Sequence, residues 1–318
     1  MTDDEIDRLA DRLATKLQTS VTDNIYRDAG RNLFTMARNA FAKEGVEIEF
    51  VSSPRPQEAA RRLVDGVVDV CWGGPMRVME TYQAIPDCNI VSFAEVVTRD
   101  PFMLIGREPR PDFKLTDLRD LTMATVSEVP TPWLCLQHDL REVGLDPASL
   151  RRIADRTMAQ NVEALKAGTV DVIQAFEPFP SLVEADGAGH VWYEAAQRGP
   201  TSYTSFYTRR DLLTERRGEL RAMVRAIART QRWIAEVDAA TIARTVARFF
   251  PDLPQSILER SYRRYKKQGI WNTDPVLSRA GYNRLRDSMV SARFVDQGTP
   301  FEIAVDNSIA EQIVAEGL

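Results

Sequence analysis

Hydrophobic residues follow two different periods along this chain. Amphipathic stretches, with apolar residues three or four positions apart, alternate with short runs rich in valine and isoleucine. The first period is typical of helices that bury one face, and the second of short buried strands. The order strand, helix, strand, helix, strand is found twice, over about residues 17–94 and 122–195. This alternation predicts two mostly parallel sheets with helices on their faces.

The pattern changes in the last third of the chain. From Asp211 onward it is almost wholly helical, with prolines between the predicted helices. The expected fold class is therefore α/β and two-lobed, with a helical C-terminal third. We assign residues 1–105 and 209–318 to lobe 1 and residues 106–208 to lobe 2. The predicted strands are Leu17–Val21, Val46–Val51, 69–74, Asn89–Ala94, Phe102–Glu108, Thr122–Ser127, the second Val-Asp-Val strand from Val170, His190–Ala195 and Ser202–Arg210. The predicted C-terminal helices are one long helix marked by residues from Leu212 to Trp233, then Ala239–Phe250, Gln255–Gln268, Pro275–Ala292 and Asn307–Glu316.

Two stretches about a hundred residues apart share one pattern. Residues 58–74 and 161–178 each run from an amphipathic helix into a glycine, then Val-Asp-Val and an apolar run. Each apolar run ends just before a proline, Pro75 in the first stretch and Pro178 in the second. Glycine after a helix is typical of a C-cap, and proline suits the first turn of the next helix. The repeat indicates two similar lobes. The alternative is that the two stretches are similar by chance, as can happen in any α/β protein.

Composition and charge narrow the class of protein. The chain has 318 residues, of which 44% are hydrophobic and 27% charged, with a net charge of −5. A chain of this length usually folds around more than one hydrophobic core. The net negative charge argues against a nucleic-acid partner. No run of 18 apolar residues occurs, so we expect no membrane insertion. The acidic N-terminus lacks the pattern of a secretory leader. We therefore expect a cytoplasmic protein, or a periplasmic one whose leader precedes this numbering.

Residues with catalytic or metal-binding chemistry are few. The chain has three widely spaced cysteines and two histidines. No CxxC, HExxH, P-loop or GxSxG motif is present. We therefore expect no metal, no cofactor and no disulfide framework.

Several stretches carry a resemblance to a known family. They are 40–51 (AFAKEGVEIEFV), Gly66–Pro75 (GVVDVCWGGP), 99–108 (RDPFMLIGRE), 165–179 (LKAGTVDVIQAFEPF) and 209–227. In order and spacing, the chain resembles the periplasmic-binding-protein type II fold. Within it, the chain looks like the branch that binds alkanesulfonates, taurine, nitrate and thiamine-pyrimidine precursors. The resemblance implies a small-molecule ligand held between two lobes, hinge closure at crossings near Phe102–Glu108 and Ser202–Arg210, and delivery to the membrane subunits of an ABC importer.

The candidate ligand contacts come from the turns that follow strands. In parallel α/β sheets, ligands bind beyond the C-terminal ends of the strands, where helix N-termini present unpaired N–H groups. Core packing is the alternative for the aromatic candidates, helix capping for the hydroxyl and amide candidates, and a surface position for the arginine. For the glycine pair the alternative is a tight turn at positive φ, which the ligand interpretation also requires. For the glutamate the alternative is a helix-dipole partner. The candidates are Asn24, Tyr26, Arg27, Trp72, Gly73, Gly74, Ser127, Thr131, Glu177 and Tyr203, while Glu95 at the end of a strand is a weaker one.

An enzyme on the same scaffold is the rival interpretation. The resemblance includes a sulfinate desulfinase, which uses a cysteine in the first-lobe loop, and a pyrimidine synthase with a cysteine-rich run. Here the first-lobe loop has no cysteine and no cysteines are clustered. A ligand sensor would leave no distinct mark in the sequence. The sequence therefore favours a substrate-binding protein over an enzyme.

Overall fold

The computed structural model describes residues 16–22, 40–53 and 55–317. Its strands form two five-stranded sheets. The first sheet has the order β2-β1-β3-β10-β4 and the second has the order β7-β6-β8-β5-β9. The strands are β1 (Lys16–Thr22), β2 (Glu47–Ser53), β3 (Val70–Gly73), β4 (Ile90–Val97), β5 (Met103–Gly106), β6 (Thr122–Val126), β7 (Arg151–Arg156), β8 (Val172–Ala175), β9 (His190–Glu194) and β10 (Thr204–Arg209).

The two sheets have the same plan. In the first, β1 pairs in parallel with β2 and β3, and β10 runs antiparallel between β3 and β4. In the second, β6 pairs in parallel with β7 and β8, and β5 runs antiparallel between β8 and β9. The two Val-Asp-Val strands, β3 and β8, therefore occupy the same central place. This confirms the two-lobed, mostly parallel α/β fold.

Helices cover the sheets and build the C-terminal third. The helix Gln255–Gln268 has its predicted bounds, whereas the predicted start at Pro275 was wrong because Ser278 caps a helix that begins at Arg279. The helices are α1 (Pro56–Val64), α2 (Pro75–Ala84), α3 (Thr131–Glu142), α4 (Met158–Lys166), α5 (Phe179–Ala185), α6 (Leu212–Glu215), α7 (Arg217–Glu236), α8 (Ala239–Val246), α9 (Gln255–Gln268), α10 (Arg279–Ser291), α11 (Phe301–Ala304) and α12 (Ser308–Ala315).

The repeated glycines act as expected at the ends of α1 and α4. Gly66 and Gly168 both have φ of 72°. A side chain at this left-handed backbone angle is strained, so glycine is favoured there. In both lobes the glycine stops the helix and turns the chain into the central strand.

Two short crossings join the lobes. Residues 98–102 lead from β4 to β5, and residues 199–203 return from the second sheet to β10. The crossings lie side by side, because the Thr201 N–H donates to the Thr98 carbonyl at 2.8 Å and the Tyr203 N–H to the Val97 carbonyl at 2.9 Å. By sheet membership, β5 belongs wholly to the second sheet and β10 wholly to the first. The change of sheet thus lies a few residues before the predicted divisions at 105/106 and 208/209.

The C-terminal third packs against both lobes. Helix α7 buries Leu220, Met223 and Val224 in the core of the first lobe. Helix α10 shares a second core with α2 and also packs against α3 of the second lobe. Helix α9 lies against α5. Any change in the angle between the lobes must therefore also move the lobes relative to α9 and α10.

Candidate functional site

The first turns of α2 and α3 meet at the junction of the two lobes. Helix α2 follows β3 in the first lobe, and α3 follows β6 in the second. The Thr131 hydroxyl donates to the Met76 sulfur at 3.2 Å, and both residues are buried. The two turns therefore face each other, as a ligand site between lobes requires. Each also brings the positive end of a helix dipole, which favours an anion.

The glycine pair before α2 is needed for space. The expected positive φ was wrong: neither Gly73 nor Gly74 has one, and Gly74 has φ of −93° and ψ of 158°. A Cβ at Gly74 would lie 2.5 Å from the Tyr203 carbonyl oxygen, and one at Gly73 would lie 3.1 Å from the Tyr207 ring. Glycine thus lets the end of β3 approach the second crossing closely. Both positions are half-buried.

The two aromatic candidates within the described residues, Trp72 and Tyr203, are packed into hydrophobic cores. Trp72 is 7% exposed and meets Phe206 edge to face, with ring centroids 4.9 Å apart. Tyr203 is 3% exposed and lies in the core of the second lobe, with its ring 6.3 Å from that of Phe102. Tyr203 also belongs to the second crossing. Its position therefore depends on the angle between the lobes.

The Glu177 carboxylate is held by three side chains. It accepts hydrogen bonds from the Ser181 hydroxyl at 3.0 Å and the Ser261 hydroxyl at 3.0 Å, and it pairs with Arg264 at 2.6 Å. Burial raises the pKa of this carboxyl, and the Arg264 guanidinium opposes that rise. Ser261 and Arg264 lie on α9, so Glu177 joins the second lobe to the C-terminal third. In this arrangement its charge is already balanced.

The remaining candidates are more scattered. Ser127 is exposed, and its N–H donates to the Arg156 carbonyl at 3.0 Å. Asn24, Tyr26 and Arg27 lie outside the described residues. The predicted site residues that the structure brings together are thus Gly74, Thr131 and Tyr203. Met76 lies beside them and was not among the predicted residues.

A buried group of three charged side chains lies beside the crossings. It was not predicted from the sequence. The Arg198 guanidinium pairs with Asp100 at 2.6 Å and also with Asp139 of α3. The Asp100 carboxylate accepts the Phe102 N–H at 2.9 Å. The three residues are spread over nearly a hundred positions, so no local signal in the sequence indicates this contact. The group joins the first crossing to α3 and to the residue just before the second crossing.

The described residues contain no group of three or more His, Cys, Asp or Glu side chains that could hold a metal ion. No helix among them is both long and apolar enough to span a membrane.

The cysteines Cys71, Cys88 and Cys135 are all buried. Burial raises the pKa of the Cys135 thiol to about 12 and also raises that of Cys88. The Cys71 thiol donates to the Ala59 carbonyl at 3.2 Å.

This architecture is shared with solved proteins. The periplasmic aliphatic sulphonate binding protein SsuA from Escherichia coli superposes with a TM-score of 0.67 at 16% identity, and the match covers 92% of each chain. The chain has the periplasmic-binding-protein type II fold. The resemblance in fold drawn from the sequence is thereby confirmed, as is the predicted fold class.

Other comparisons agree with this fold. Residues 105–249 match the NMT1-like family. YtlA of Bacillus subtilis (strain 168), a protein named for a proposed binding role, is 24% identical over 283 residues, which are 88% of this chain and 84% of YtlA. The desulfurization enzyme DSZB also has the type II fold, with a TM-score of 0.68 at 13% identity over 96% of this chain and all of DSZB. The fold is thus used both by binding proteins and by an enzyme.

Proposed function

We propose that the protein captures a small organic anion between its two lobes, as the substrate-binding component of an ABC importer. The observation that carries this proposal is the contact between Thr131 and Met76, which sets two helix N-termini against each other across the lobe junction. Their partial positive charges suit a sulfonate or carboxylate. Ligand-binding components of ABC import systems and sulfonate-binding proteins among the structural neighbours support it.

The site that we propose includes the remaining candidates. Gly73 and Gly74 would offer backbone N–H groups. The Thr131 hydroxyl would donate to a ligand oxygen in place of the Met76 sulfur. Trp72 and Tyr203 would supply apolar walls. Ser127, Glu177 and the first-lobe residues Asn24, Tyr26 and Arg27 stay predictions. The location follows from the same proposal: the Escherichia coli relative is periplasmic, and we propose the same compartment, to be checked by cell fractionation.

A thermal-shift panel tests this proposal. The full chain is melted with alkanesulfonates, aromatic carboxylates and aminopyrimidines, and native mass spectrometry of the purified protein identifies any ligand that is retained. A ligand at a hundred times its Kd stabilises a protein by about 2.7 kcal/mol. We expect Thr131→Val to weaken the response of an anionic ligand. Thr245→Val, on the exposed face of α8, is the matched control. An equal response in both variants, or none to any anion, contradicts the proposal.

The enzymatic alternative rests on the similarity to DSZB. A nucleophilic cysteine must reach its thiolate form, and burial opposes this at Cys88 and Cys135. The Cys71 thiol is turned to a backbone carbonyl. These three environments favour capture over turnover. Release of sulfite from an aromatic sulfinate, measured with the purified protein, would favour the enzyme instead.

A further inference from the structure

Three segments of the chain meet at the hinge. The two crossings bond to each other, and residues 270–281 of the C-terminal third lie along them. This segment meets the free edge of β4 at Glu95 and continues into α10. Its backbone contacts with the hinge are Thr98 N–H to Ile270 O at 2.9 Å, Glu95 N–H to Pro275 O at 2.7 Å and Ser202 N–H to Gly281 O at 3.1 Å.

Glu95 lies where these three segments meet, at the end of β4. Its side chain is 0% exposed, and neither carboxyl oxygen has a hydrogen-bond partner among the described residues. The hydroxyls of Thr98 and Ser202 are close enough to lower the pKa of Glu95, but neither reaches hydrogen-bonding geometry. A fully buried carboxyl with two unpaired oxygens is rare in folded proteins and calls for an explanation.

The charges around Glu95 oppose its ionisation. Among the described residues, the charged group that acts on it is the Asp274 carboxylate, on the C-terminal segment. The other elements packed around it contribute neutral groups: Gln231 of α7 donates to the Glu95 backbone carbonyl at 2.9 Å, β10 places Ser205 opposite it, and Gly281 of α10 adjoins Ser202. Burial, aided by Asp274, raises the pKa of Glu95 from 4.5 to about 7. The proton is therefore held more tightly in this state of the hinge than in water.

We propose that closure of the two lobes is coupled to the uptake of one proton by Glu95. The coupling rests on the proposed function, because it regulates the same junction between lobes. Opening turns the crossings against residues 270–281, and the surroundings of Glu95 belong to both. Water that enters this contact solvates the carboxylate and favours the open form. A protonated Glu95 needs no counter-charge and is compatible with the dry, closed hinge.

The direction of the effect follows from the two pKa values. If the carboxyl returns to a pKa of about 4.5 in the open form, the closed form has its full advantage below about pH 4.5. That advantage falls as the pH rises and is constant above about pH 7. The closed-to-open ratio then changes by about tenfold per pH unit within this window, up to roughly 300-fold in all. The apparent Kd of a captured ligand weakens over the same range.

The separation of the lobes can be measured without a ligand. Spin labels are attached to the full chain at Val67→Cys and Val143→Cys, two exposed positions on different lobes, while the native cysteines are buried. We expect the distance distribution to shift toward longer distances between pH 4.5 and 7. The shift should be absent in Glu95→Gln, which stays neutral, and should be retained in Glu49→Gln, an exposed glutamate on β2 of the same sheet.

Two further results decide the proposal. Asp274→Asn removes the like charge, so it should move the midpoint of the shift to lower pH. Distances that do not change with pH in the wild type, or that change equally in Glu95→Gln, overturn the proposal. Because this readout needs no ligand, a failed ligand panel would contradict the proposed function and leave the hinge result intact. If the panel yields a ligand, calorimetry in buffers of different ionisation enthalpy should detect proton uptake on binding near pH 6.

Discussion

Replacing Gly74 by alanine is expected to force the end of β3 away from the second crossing. The added Cβ would lie 2.5 Å from the Tyr203 carbonyl oxygen, whereas ordinary contact begins near 3.4 Å. A gap of about 0.9 Å must therefore be opened between two stretches of backbone, and no rotamer change can provide it. The angles of Gly74, φ −93° and ψ 158°, suit alanine. The whole effect is thus steric.

The cost can be bounded from this geometry. Overpacking of a well-packed contact costs about 1–3 kcal/mol, and a clash between two backbone segments belongs at the upper end. We expect Gly74→Ala to lower the free energy of unfolding by about 2–3 kcal/mol. Gly73→Ala should cost less, because its Cβ would lie 3.1 Å from a side-chain atom of Tyr207. Equilibrium urea unfolding, followed by circular dichroism, measures both values.

Gly218 provides the control. It lies near the start of α7, and a Cβ there would meet nothing within 4 Å. Alanine has the higher helix propensity, so Gly218→Ala should be neutral or stabilise by up to about 1 kcal/mol. Neutral surface substitutions change the free energy of unfolding by up to about 0.5 kcal/mol. If Gly74→Ala changes it by no more than this, the close approach of β3 to the crossing is not the reason for glycine at this position.

Three further predictions concern stability. Arg198→Met should cost about 3–5 kcal/mol in urea unfolding, because it leaves Asp100 and Asp139 buried without a counter-charge, and a cost under 1 kcal/mol would contradict this. Through Glu95, the free energy of unfolding should fall by up to about 3 kcal/mol between pH 4.5 and 7, because the raised pKa favours the closed folded state only while Glu95 is protonated, and opening of the hinge limits the loss. An equal pH profile for Glu95→Gln would refute this. Thr157→Ala should cost about 1 kcal/mol by removing the N-cap of α4, and an unchanged melting temperature would count against it.

The parts of the fold that the sequence determined are those with local causes. Gly66 and Gly168 end helices because only glycine accepts a left-handed backbone angle without strain, and that preference belongs to the residue itself. Helix α9 has its predicted bounds because Pro254 precedes it and Gly269, with φ of 65°, closes it. Periodicity and these signals gave the order of elements in both lobes. The match between two such orders was enough to predict two similar sheets.

The candidate site was determined only in part. Turns that follow parallel strands must lie at one edge of the sheet, so the sequence placed Thr131 near the junction of the lobes. It gave the wrong reason for Gly74, since the constraint comes from Tyr203, more than a hundred residues away. It also gave no indication that Glu177 is neutralised by Arg264 of the C-terminal third.

What only the tertiary structure decided is the environment of the charged residues at the hinge. The sequence shows that Glu95 ends a strand, but its burial depends on the crossings and on a segment 180 residues further along the chain. The ion group of Asp100, Arg198 and Asp139 likewise joins three separate parts of the chain. Propensity and periodicity act over a few residues, whereas desolvation and charge pairing depend on every group within a few ångströms. Those groups are brought together only when the two lobes and the C-terminal helices have packed.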